Sequence, residues 1–152
     1  MQNLNKIYSH LFDREYMSGV ERERSRIKAT GEVFTPTWLV EKTLDKADVR
    51  NFTDPSKIIL DQSCGDGQFL ASVLYRKLQN GINFETALGT IYGVDLMLDN
   101  VEETRTRLLC GREDLRHIVE RNIVCHDSLT YDYSFNGTNK NNDELTFDSL
   151  FD

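Results

Sequence analysis

Proline, cysteine, histidine and long apolar runs are all scarce in this chain of 152 residues. The three cysteines, Cys64, Cys110 and Cys125, form no CxxC pair and are odd in number. That argues against a disulfide framework and against a Cys-rich zinc site. His10, His117 and His126 are scattered without metal-ligand spacing. No run approaches the ~18 apolar residues of a membrane span. The first residues lack the apolar core of a secretory signal, so a cytoplasmic protein is expected. Basic charge is short as well: the net charge is −7, with ten Lys/Arg against nine Asp/Glu in residues 1–57 and eight against sixteen in 58–152. A basic nucleic-acid footprint is therefore not expected. The one basic cluster, Arg22, Arg24, Arg26 and Lys28, is interleaved with Glu21 and Glu23 and reads as a solvated helix face.

What remains suits one domain with a real core: 39% hydrophobic and 28% charged residues. Leu4, Ile7, Tyr8, Leu11 and Phe12 follow the spacing of one apolar helix face. A second helical stretch is expected through Tyr16, Met17, Val20, Arg24 and Ile27, ended by Gly31. Thr35 reads as an N-cap and Pro36 as the first residue of a helix carrying Leu39, Val40, Thr43, Leu44 and Ala47. Asn51 to Ser56 is a turn-rich connection.

Ile58-Ile59-Leu60 is a short apolar run bounded by turn signals and reads as a strand buried on both faces. Gly65 and Gly67 follow, and Phe69, Leu70, Val73, Leu74 and Leu78 resume helical spacing. The unit repeats. Residues 90–95 read as a second strand, and Asp99 to Glu102 as a capping box opening a helix through Val101, Arg105, Leu108 and Leu109. Leu115, Ile118 and Val119 suggest a short helix before a third strand over 122–126. A polar loop over 136–144 and a strand-like start at Phe147, Leu150 and Phe151 close the chain. Alternating strands and helices argue an α/β domain with a parallel sheet. Ligands of such sheets bind outside the carboxyl ends of the strands. Three expected strands end at or just before an aspartate there: Asp61, Asp95 and Asp127.

The strongest local motif is Asp61-Gln-Ser-Cys64-Gly65-Asp66-Gly67-Gln-Phe69. Glycines after a strand allow close backbone approach to a ligand, and the following helix N-terminus offers free N–H groups. No Lys-Ser/Thr follows at phosphate-loop spacing. A dinucleotide fingerprint fits poorly too: Leu70 stands at the third glycine position, and Asp95 lies 34 residues after Asp61, where about 20 is usual. Each residue also has a plain structural reading. Thr35 serves as a cap, Asp95 as a cap for the next helix, Asp127 as a turn residue, Cys64 as a small buried thiol and Phe69 as packing.

Taken together, four segments resemble the SAM-dependent N6-adenine DNA methyltransferases of type I and fused restriction-modification systems. Thr30 to Pro36 is similar to that family's motif X, and Asp61 to Phe69 to its motif I, with Gln62 where proline is usual. Ile91 to Asp95 and Asn122 to Asp127 are similar to motifs II and III. The resemblance spans about residues 25–130. It implies a Rossmann-like methyltransferase fold, here a partial parallel sheet of strands 1–3 and the start of strand 4 preceded by N-terminal helices. Residues 1–50 would form the N-terminal helical segment with motif X, and 51–152 the partial cofactor domain. The implied cofactor is S-adenosylmethionine (SAM), held by Thr30, Thr35, Asp61, Cys64, Gly65, Gly67, Asp95, Leu96 and Asp127. Thr30 and Thr35 would meet its carboxylate, Asp61 its ammonium, Asp95 the ribose hydroxyls and Asp127 the adenine amine. Leu96 and Met97 would flank the adenine ring.

The family's catalytic tetrapeptide, Asn/Asp-Pro-Pro-Tyr/Phe, is not in the sequence, whose only prolines are Pro36 and Pro55. No catalytic residue and no metal ligand is assigned. The expectation is the SAM-binding part of an adenine methyltransferase, inactive alone, whose DNA contacts belong to the complete enzyme. The complement would be a missing half or a second copy. The alternative is a standalone regulatory module that binds SAM or a methyltransferase subunit. With only part of the family's sheet, an exposed apolar strand edge is expected.

Overall fold

The computed structural model describes residues 3–13 and 35–137. The expected helix through Tyr16 to Ile27, the segment 30–34 with Thr30, and the strand-like start at Phe147 lie outside the described residues.

Helix α1 runs Leu4–Phe12, with Asn3 as N-cap accepting from the Lys6 N–H. Helix α2 is Thr37–Asp45 and the short α3 is Arg50–Thr53. Strand β1 (Ile59–Asp61) leads through the glycine turn to α4 (Gln68–Gln79). Helix α5 (Phe84–Gly89) precedes β2 (Ile91–Asp95), and α6 (Leu98–Leu109) follows it. A 3₁₀ turn at Glu113–Leu115 enters α7 (Arg116–Asn122), which passes directly into β3 (Ile123–Cys125).

The three strands form one parallel sheet in the order β1-β2-β3. This α/β arrangement is compatible with a Rossmann-like fold. The register places Ile59, Ile91, Gly93 and Ile123 on one face. That face carries the main core, in which α1, α4 and α6 supply Leu11, Leu70, Leu74, Val101 and Leu108. Each fully buried aliphatic side chain of this kind contributes about 1.5–3 kcal/mol. On the opposite face Val94 and Val124 pack with Tyr131, against which Tyr133 and Phe135 close. Tyr92 meets Phe135 edge-on at 4.8 Å between ring centroids.

Four expectations are corrected. Strand β1 is not buried on both faces: Leu60 is 41% exposed and Ile58, just before it, 64%. Among the described residues the sheet order makes β1 an edge, and the aromatic cover over β2 and β3 does not bury Leu60. Thr35 is not the N-cap of α2. Pro36 occupies that position, and its carbonyl accepts from the N–H groups of Leu39 and Val40. Asp99 forms no capping box. Met97 is the N-cap of α6, and the Asp99 carboxylate accepts from the Asn100 N–H within the first turn. The turn-rich stretch at 51–56 contains the end of α3, stabilised by the Asp48 carboxylate accepting from the Arg50 N–H and guanidinium.

Helix α5 is not marked by the apolar spacing used above. Its signal is Asn83, whose side chain accepts from the Thr86 N–H as an N-cap.

Candidate functional site at the carboxyl edge of the sheet

The turn between β1 and α4 is built by backbone conformations that favour glycine. Gly65 has φ +53° and Gly67 φ +95°. Gly67 is the N-cap of α4 and provides no side-chain cap to its first turn. A Cβ on Gly67 would stand 3.2 Å from the Thr104 side chain, so α6 closes that side. A Cβ on Gly65 would meet nothing within 4 Å. The two glycines thus differ: Gly67 is packed and Gly65 faces open space.

Neighbouring elements hold the turn. The Cys64 N–H donates to the Val94 carbonyl at 3.0 Å, extending the sheet by one bond. Thr104 donates its hydroxyl to the Gly65 carbonyl at 2.8 Å. The Gly65 N–H donates to Asp95 Oδ1 at 3.2 Å. Oδ2 of Asp95 accepts from the Met97 N–H at 3.0 Å and from Asn100 Nδ2 at 3.2 Å. Asp95 therefore joins the glycine turn to the start of α6. A carboxylate offers about four acceptor positions, so any ligand it reads shares it with these donors.

Gly93, inside β2, lies beneath the turn. A Cβ there would fall 2.9 Å from Leu70 Cδ1 and 3.0 Å from Cys64 Sγ. The glycine in the second motif is thus a packing requirement of the first.

Asp61 ends β1, and its Oδ1 accepts from the Ser63 N–H at 3.0 Å. Burial pushes its carboxyl above the usual range, with the Ser63 bond opposing. Burial also drives the Cys64 thiol well above its ordinary range, helped by the charges of Asp95 and Asp61. Cys64 is therefore a protonated packing residue, as its reading as a small buried thiol anticipated.

Leu96, just past β2, is 46% exposed, whereas Met97 is buried. Only Leu96 of this pair offers an apolar surface. Asp127 follows β3 by two residues. Its carboxylate accepts from the Leu129 N–H at 2.9 Å, and its carbonyl accepts from the N–H groups of Thr130 and Tyr131. It occupies its own turn, the plain role weighed for it above. Thr35 is reached from α4: its carbonyl accepts from Gln68 Nε2 at 2.9 Å.

The structure thus brings Asp61, Cys64, Gly65, Gly67, Asp95 and Leu96 to the carboxyl edge of β1 and β2, and Asp127 to that of β3. Thr30 lies outside the described residues. Among the described residues no group of three His, Cys, Asp or Glu side chains could hold a metal ion. Asn100, Thr104, Gln68 and Arg107 escaped the sequence reading. Asn100, Thr104 and Arg107 stand at i, i+4, i+7 on α6, so helical spacing of polar residues beside Val101 and Leu108 was their signal.

Fold and site define an α/β protein with a parallel sheet and a glycine turn held by an acid from the next strand. No family model, curated protein or solved structure matches the chain.

Proposed function

We propose that this chain is the SAM-binding part of an adenine-specific DNA methyltransferase of the restriction-modification type. The observation that carries the proposal is the pairing of Gly65, open on its Cβ side, with Asp95 at the carboxyl edge of adjacent parallel strands. The sequence resemblance across four segments supports it. The order β1-β2-β3 is also the order of the family's first three strands.

The residues fit the cofactor. Gly65 leaves space that a Cβ would fill. Asp61 is a half-buried acid, its carboxyl pKa pushed up by burial, and an ammonium group would relieve the cost of its ionisation. Asp95 accepts hydroxyl donors, and exposed Leu96 flanks a planar ring. When bound, SAM supplies an electrophilic methyl group. The chain's own residues bind and orient. Thr104 and Asp95 fix the carbonyl and N–H of Gly65, and Gly93 lets the turn sit close to β2; Asp61 would hold the ammonium.

The sequence holds no Pro-Pro, so methyl transfer to DNA is assigned to groups beyond these 152 residues. DNA is a partner of the complete enzyme, whose catalytic and recognition half would complete this chain; a second copy would be a partner in a homo-oligomer only. The test is calorimetry with SAM and with NAD. Saturable heat with SAM alone supports the reading, and binding of NAD in its place rejects it. Methyl transfer to DNA by the purified chain alone would reject the assignment of chemistry elsewhere.

A further inference from the structure

Among the described residues Arg107 is the largest fully buried side chain, a charged group 1% exposed. Its donors go to separate segments. Nε donates to the Leu11 carbonyl at 2.6 Å, Nη1 to the Asp66 carbonyl at 3.2 Å, and Nη2 to Gln68 Oε1 at 2.9 Å. Gln68 is buried too, and its Nε2 donates to the Thr35 carbonyl at 2.9 Å. Leu11 lies in the last turn of α1, where carbonyls have no partner within the helix. Asp66 lies between the two glycines of the turn.

A guanidinium is planar and presents its donors in a fixed fork. Displacing one acceptor therefore strains the bonds to the others. Losing one leaves a buried polar group unsatisfied, a cost larger than the net worth of the bond itself. Segments 96, 41 and 39 residues away from Arg107 are thus held by one rigid group.

We propose that Arg107 and Gln68 are positioning residues that couple the seating of α1 to the shape of the glycine turn and the place of Thr35. This rests on the reading of the turn as a SAM site. The consequence is specific: the relay acts on the amino-acid end of the ligand, through Thr35 and Asp66. The adenosine end is held by Asp95 and Leu96, which Gln68 does not touch. SAM and 5′-methylthioadenosine, which lacks the amino-acid end and with it the sulfonium charge, separate the two when each variant is compared with wild type for the same ligand.

Gln68→Glu keeps the acceptor facing Arg107 and loses the donor to Thr35. Gln68→Leu loses both. Each is expected to weaken SAM about five- to tenfold, the effect of one buried hydrogen bond, and 5′-methylthioadenosine less than about twofold. Gln68→Glu should retain more of the wild-type melting temperature than Gln68→Leu. Equal losses for the two ligands would reduce the relay to a structural role and overturn the proposal.

A second arm needs no ligand. Amide exchange in Arg107→Lys is expected to rise together in α1 and at residues 65–67. A rise at only one of them, or at neither, overturns the coupling. If the wild-type chain binds neither ligand, the SAM reading fails while the exchange arm still decides the coupling.

Discussion

At Asp61 burial and the proposed ammonium contact pull in opposite directions. Burial raises its folded-state pKa above the ordinary 3.8. Its contribution to stability is thus fully present below that value and lost as pH rises through the raised one. A bound ammonium favours the ionised form and reverses the shift. SAM affinity is therefore expected to weaken as pH falls through the Asp61 pKa, and Asp61→Asn to flatten that dependence. Calorimetry over a pH series measures it; an unchanged slope in the variant would remove Asp61 from the contact. Gly93 is a residue of the opposite kind, acting only through its missing Cβ. Gly93→Ala places a carbon 2.9 Å from Leu70 and 3.0 Å from Cys64 Sγ, an overpacking expected to cost about 1–3 kcal/mol in urea unfolding. A change within error would show that the turn yields easily.

At the scale of elements, the helices and strands with the clearest spacing were legible in the sequence. The strand over 90–95, the helix after Gly67 and the short helix through Ile118 and Val119 all stand where the apolar pattern put them. The caps were not. Thr35 lost the N-cap position to Pro36, and Asp99 to Met97. In the second case Asp95, from the preceding strand, already satisfies the Met97 N–H. A local side-chain bond from two residues upstream thus sets where the helix starts. The placement of the strand-end acids and glycines at the carboxyl edge was readable because strand, turn and helix fix that edge. The buried charges Arg107 and Lys77 were not singled out in the sequence, because a charged residue on a helix carries no local mark of burial.

Lys77, on α4, donates from Nζ to the Lys57 carbonyl at 2.7 Å and to Thr90 Oγ1 at 2.9 Å. It thereby pins α4 to the amino ends of both β1 and β2. Burial lowers its pKa below the ordinary 10.5, with Asp54 opposing. Between the lowered value and 10.5 the unfolded chain binds more protons, so stability is expected to rise with pH in that window. Thermal melts across the alkaline range check this. The rise should vanish in Lys77→Met, and persistence of the same rise would assign it to another group.

For the whole molecule, the two faces of the sheet are unequally covered. Helices α1, α4 and α6 bury one face, while on the other the aromatic cluster at Tyr131, Tyr133 and Phe135 reaches Tyr92 but leaves Leu60 41% exposed. Among the described residues β1 has an unpaired outer edge. Self-association through this edge is expected, concentration-dependent in sedimentation and reduced by Leu60→Lys, which places a charge on the exposed side of an edge strand. A monodisperse monomer at all concentrations would contradict it. The same edge explains why composition looked ordinary. A chain with enough apolar residues for one core divides them between a buried face and a half-covered one.

The most direct test of the account is titration of the purified chain with SAM, in wild type and in Asp95→Ala, with NAD as the control. The account predicts one saturable site for SAM, loss of that site when Asp95 no longer holds Gly65, and no heat with NAD. SAM binding unchanged in Asp95→Ala, or a site that takes NAD and not SAM, would contradict it.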